Sequence, residues 1–85
     1  MKIYTFHNTK DKLMLAFSLQ ENPKKLPKME NGNWKLEEVY ELRDFKREFK
    51  KLIPNIDIDK IVHEIKENQY SIGKVSIIWV AEKTK

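Results

Sequence analysis

Cysteine is absent from the 85 residues, so the chain has no disulfide, no thiolate nucleophile and no zinc–thiolate cluster to draw on. That lack accords with a reducing compartment. The two glycines, Gly32 and Gly73, stand alone, which leaves no glycine-rich loop to cradle a phosphate. Long hydrophobic runs are missing as well. The longest, Ile77 to Ala81, is far short of a bilayer span. The opening "MKIYTFHNTKDK" soon turns polar and carries no signal-peptide core. Together these absences lead to the expectation of a soluble, cytoplasmic protein without a membrane segment.

What is present belongs to a folding chain. Hydrophobic residues make up 40% of the sequence, and the aromatics number four Phe, three Tyr and two Trp. The length allows one small domain, residues 1–85, with a thin stability margin because a chain of this size buries only about 60–65% of its unfolded surface. Abundant Lys, Ile, Asn and Glu resemble the usage of an AT-rich bacterial genome. The net charge of +4 is unevenly spread: residues 1–29 sum to +4, 30–42 to −3, 43–51 to +3, 52–73 to −2 and 74–85 to +2. Such blocks raise the question of an anionic partner, although this is not a strongly basic chain of the kind that coats nucleic acid.

Periodicity divides the chain into elements. "KIYTFH" (2–7) is β-branched and aromatic and reads as a strand. "NTKD" is turn chemistry, and in "KLMLAFSLQ" Leu13, Leu15, Phe17 and Leu19 alternate with Met14, Ala16 and Ser18. The two segments form an antiparallel hairpin. Residues 21–33, with two of the three prolines, read as a long loop that is functional or mobile. A strand follows over 34–42, with Trp34, Leu36, Tyr40 and Leu42 on one face and Glu38 as the misfit. A helix over about 44–53 then places Phe45, Phe49, Leu52 and Ile53 on one arc, with Asp44 as N-cap and Pro54 as terminator. Asp57 caps a second helix, whose Ile58, Ile61, Val62 and Ile65 form its apolar stripe. "ENQYSIG" turns the chain, and "KVSIIWVAE" (74–82) is a last strand, apolar on both faces. A central strand or an edge that pairs with another subunit would have that pattern. Residues 83–85 read as a frayed tail. The expected fold is α+β, in the order β-β-β-α-α-β, a mostly antiparallel sheet with two helices on one face.

Four features of this layout, "KKLP" at 24–27, Trp34, the helix 58–68 and "NQYSI" at 68–72, resemble a family of small uncharacterised bacterial proteins. Those have a hairpin start, an "LP…W" loop-to-strand segment and a helix ending in a "GY" turn. The resemblance implies the same fold and no activity. This chain departs from the pattern at Asn68-Gln69, which precede Tyr70 where a glycine is usual, and in its basic segment 43–51.

That basic segment is the foremost candidate site. Arg43, Lys46, Arg47, Lys50 and Lys51 fan around the side of the helix opposite Phe45, Phe49 and Leu52. Such a face would suit a phosphate backbone or an acidic protein surface, while a solvated helix surface is its commoner role. The strand aromatics are core residues by their spacing, with Trp34, after a polar loop, the candidate exposed aromatic. His63 has Asp59 and Glu67 one turn away on either side, a column that ordinary surface pairing accounts for without a metal. Glu37, Glu38 and Glu41 do not all share a strand face, and no serine lies in a nucleophile elbow. No catalytic residue, metal or cofactor is implied, so the chain is read as a non-enzyme. The leading expectation is a small non-catalytic interaction module that engages a protein partner or another copy of itself. The alternative is weak, sequence-tolerant nucleic-acid binding through helix 43–51. Were the five cations to neutralise about four phosphates, log K against log salt would fall with a slope near −4, and a flat dependence would exclude that alternative.

Overall fold

The computed structural model describes residues 1–28, 32–75 and 79–81, of which 75 and 79–81 are described by their backbone alone. The elements run β1 (Lys2–Asn8), β2 (Met14–Ser18), a 3-10 turn (Pro23–Lys25), β3 (Trp34–Glu41), α1 (Leu42–Leu52), α2 (Ile58–Asn68), β4 (Tyr70–Val75) and β5 (Trp79–Ala81). All pairings are antiparallel, and the sheet order is β3-β1-β2-β4-β5. The expected α+β class, the hairpin and the two helices on one face are thus present, with one strand more than expected. No helix among the described residues is long and apolar enough to cross a membrane.

Strand alternation gives the sheet two apolar faces. On one, Ile3 and Phe17 meet Phe45 and Phe49 of α1, Ile61, Val62 and Ile65 of α2, and Ile53 and Ile56 of the link between the helices. On the other, Phe6, Met14, Ala16 and Ile72 pack with Leu26 from the loop, joined by half-buried Tyr4, Trp34 and Tyr70. The segment 21–33, expected as a long loop, is partly built into this core. Asn22 caps its 3-10 turn through the Lys24 amide, Pro23 starts the turn, and Leu26 is driven into the second core. Met29 to Asn31, at the far end of that loop, lie outside the described residues.

Several boundaries differ from the sequence reading. Helix α1 begins at Leu42, because the Leu42 amide bonds to the Met1 carbonyl at 2.9 Å and the chain passes from strand to helix without a loop. Glu41 is the N-cap residue but makes no capping bond, whereas Asp44 sits in the first turn and accepts from Arg47 at 2.8 Å. Leu52 is 69% exposed, at the margin of the apolar arc, while Ile53 turns inward at the C-cap. In β3 the register slips by one residue: Thr5 opposes Glu38 while Phe6 opposes Leu36, leaving Glu37 as a bulge. The slip puts Trp34 and Leu36 on the opposite face from Tyr40, so the four residues expected to share a side do not.

The second helix matches the expectation, with Asp57 Oδ1 accepting from the Lys60 amide at 3.1 Å. After it, "NQYSI" is only briefly a turn. Gln69 adopts φ 73°, ψ −4° and closes the helix through its amide to the Ile65 carbonyl at 2.7 Å, and the strand starts at Tyr70. The segment read as one last strand divides instead: 74–75 end β4, which is internal, and 79–81 form β5 at the edge. Residues 76–78 and the expected frayed tail 83–85 lie outside the described residues.

Gln69 is the only described non-glycine residue with positive φ, and left-handed backbone costs an L-residue energy that glycine escapes. Gln69→Gly is expected to stabilise the fold by about 0.5–1 kcal/mol, read as a raised urea midpoint with unchanged m-value.

Candidate functional site

The basic helix is less free than its composition implies. Arg47 bonds to Asp44 at 2.8 Å and approaches Glu48 at 3.8 Å; Lys46 reaches Asp59 on α2 at 3.8 Å. Lys50 Nζ donates to the Ile56 carbonyl at 3.4 Å. Arg43 and Lys51 make no ion pair among the described residues. The five cations thus share one helix, yet three of them hold α1 to itself, to α2 or to the link between. Exposed pairs of this kind contribute little each, so their role is more orientation than stability. Lys24, Lys25 and Lys28 belong to the loop over the other face of the sheet, so they do not extend this patch.

His63 approaches Glu67 at 3.6 Å, a surface pairing of the kind expected of it, while Asp59 turns to Lys46. No group of three metal-ligating side chains occurs among the described residues. His7 is a different case. Its Nδ1 lies 2.6 Å from Glu37 Oε1, but without hydrogen-bond geometry, and that buried atom has no hydrogen-bond partner among the described residues. The bulge brings Glu37 there, and sequence spacing alone gave no sign of it.

Edge strand β3 exposes apolar side chains along much of its length. Leu36 and Val39 are 38% and 41% exposed and lie on the same face as Trp34 and Tyr4. Lys35, Glu37, Glu38 and Glu41 supply the charge along the strand. Tyr40 points to the helical side among Phe45 and Phe49, and burial, with the charges of Glu38, Glu48 and Glu37, pushes its hydroxyl above the ordinary tyrosine pKa.

At the start of β3 lies a pocket of about 500 Å³, whose described lining includes Lys24, Leu26, Pro27, Lys28, Asn33 and Trp34, with Pro23 and Gly32. Trp34, expected to be an exposed aromatic, is half-buried, and its indole N–H donates to the Pro27 carbonyl at 3.0 Å. The opposite wall is tied down by Asn33, whose carbonyl accepts from the Thr9 amide and whose amide donates to Thr9 Oγ1, both at 2.8 Å. Gly32 has φ +81°, and a Cβ there would run into Asn8 Oδ1 and come within 2.8 Å of Lys10 Cγ. Asn8 cannot yield easily: it is buried and its Oδ1 accepts from the amides of Lys10 and Asp11. Nearby, Asp11 has its carboxyl pKa lowered, first by its hydrogen bond with Lys74 and then by the Leu13 amide. Sequence reasoning missed the pocket, although "NPKKLPK" and Trp34 were its signal: a capped, proline-stiffened loop returning on an aromatic ring.

Comparison with protein-family models, curated proteins and solved structures finds no match for the chain.

Gly32→Ala is expected to destabilise the fold by about 1–3 kcal/mol, since strain at positive φ adds to the collision with Asn8. Thermal unfolding measures the cost. Loss of the Thr9 amide's protection from hydrogen exchange would locate it at the pocket wall.

Proposed function

We propose that this chain is a small non-catalytic interaction module whose edge strand β3 accepts an extended segment of a protein partner. The single observation behind this reading is the combination in β3 of an edge position with two exposed apolar side chains, Leu36 and Val39, on one face. Among the described residues β3 pairs only with β1, so its outer backbone groups are available to another strand. Glu37, Glu38 and Glu41 against the lone Lys35 favour a partner segment with cations among its apolar residues. A second copy would bring the same glutamates edge to edge and is the less favoured occupant.

The non-catalytic part is supported by the use of three described hydroxyls. Thr5 Oγ1 donates to the Glu38 carbonyl, Ser18 Oγ accepts from the Gln20 amide, and Ser71 Oγ donates to Glu64. Each supports the fold. Nucleic-acid binding through α1 is the less supported reading, because Lys46, Arg47 and Lys50 already have partners, which leaves Arg43 and Lys51 as its cations without an ion pair among the described residues.

Titration of the labelled protein with an alternating Lys/Val hexapeptide should shift amides along β3. An alternating Glu/Val peptide should bind about tenfold or more weakly. The Leu36→Lys, Val39→Lys double variant should lose the Lys/Val shifts while remaining folded, since both side chains are exposed. Light scattering at micromolar concentration should report a monomer. A dimer abolished by the double variant would instead assign the edge to a second copy, and the absence of shifts in β3 would sink the reading.

A further inference from the structure

The geometry points to a second, independent binding site: the pocket beside Trp34 takes a small organic anion with a flat apolar body. Its volume of about 500 Å³ falls in the range of small-molecule sites, roughly 300–1,000 Å³. The apolar lining comes from Pro23, Leu26, Pro27 and Trp34, which offer rigid or ring-shaped surface. Its two charged lining residues, Lys24 and Lys28, are both cations, and neither makes an ion pair among the described residues. No carboxylate is among the described lining residues to satisfy them. Among the described lining residues the charge is therefore of one sign, and that sign favours an anion.

The walls are held in place before any ligand arrives. The Trp34 indole N–H is committed to the Pro27 carbonyl, which fixes the ring against the loop and removes its one donor from ligand recognition. On the other side the paired Thr9–Asn33 hydrogen bonds and the close fit of Gly32 on Asn8 fix the backbone. The 3-10 turn that carries Lys24 is itself capped by Asn22. A preformed apolar slot needs little ordering when it binds, so modest contacts suffice for measurable affinity. Lys24 and Lys28 are surface side chains with flexible stems, and they supply charge selection while the slot supplies shape.

2-Naphthoate and its neutral isostere 2-naphthamide separate the two contributions. In heteronuclear spectra of the whole chain, naphthoate should shift the Trp34 indole N–H, identified by its loss in Trp34→Phe, and the amides of Gly32 and Asn33, to saturation. Naphthamide should bind about fivefold or more weakly, as should naphthoate to the Lys24→Gln, Lys28→Gln double variant, the size expected from two exposed charge contacts. Both lysines are exposed, so the variant keeps its fold, which an unchanged circular dichroism spectrum verifies. Equal affinity for acid and amide would overturn the anion assignment, and the absence of saturable shifts at Trp34, Gly32 and Asn33 would overturn the site. The Leu36→Lys, Val39→Lys variant should bind naphthoate unchanged; its loss there would also overturn a separate site.

Discussion

Packing of Phe17 against α1 is the contact on which the rest of the structure leans. Its ring meets Phe45 and Phe49 edge-on, with centroids 5.0 and 5.1 Å away and interplanar angles of 71° and 74°. Tyr40 adds a third partner to Phe49 at 5.7 Å and 80°. Edge-to-face pairs contribute about 0.5–1.5 kcal/mol each beyond their buried area, a large share of the few kcal/mol available to so small a domain. Through these rings the sheet's middle strand, its edge strand and the first helix hold one another. α2 then closes the same cluster with Ile61, Val62 and Ile65. Tyr40 also connects that core to the acidic side of β3, which is why neighbouring glutamates register in the behaviour of its hydroxyl.

Much of this was legible because local signals and tertiary packing agree. α2 is the clearest instance: Asp57, the stripe Ile58–Ile61–Val62–Ile65 and the stop at Asn68 all say the same thing, and the helix spans those residues. Where the signals concern pairing between distant strands, sequence pattern says less. The bulge at Glu37 depends on how β1 and β3 align; the misfit at Glu38 marks a break in the alternation of "WKLEEVYE" but not which residue is extra. Period two therefore assigned Trp34 and Tyr40 to one face when a single extra residue separates them. Likewise, Gln69 turns the chain as the polar run implied, but the turn occupies one left-handed residue, so Tyr70 to Gly73 were lost to a loop that does not exist.

The candidate surfaces divide in a similar way. Charge is visible in a sequence, its neutralisation is not. Lys46 looks free until α2 places Asp59 beside it, and Lys50 until the link between the helices brings the Ile56 carbonyl within reach. The lysines at 24 and 28 are no more conspicuous in the sequence, yet among the described residues they make no ion pair and line an apolar slot. Segment 21–33 read as a long loop, functional or mobile, from its prolines and its polar composition. Its one strongly apolar residue in the described part, Leu26, ties it down by closing a second core that the sheet's far face would otherwise expose.

The strand order has a consequence in time as well as in space. β1 finds β2 at once and β3 some thirty residues on, but the free side of β2 is filled by β4, so Ala16 and Phe17 must wait for Ile72 and Ser71. On a ribosome, the sheet's future centre is therefore an open edge until nearly the whole described chain has been made. Closing the β2–β4 ladder joins residues far apart in sequence, the kind of step that slows folding and leaves sticky strands unguarded meanwhile. α2, strong in its local signals and directly preceding β4, is well placed to form early and deliver that strand to its waiting partner.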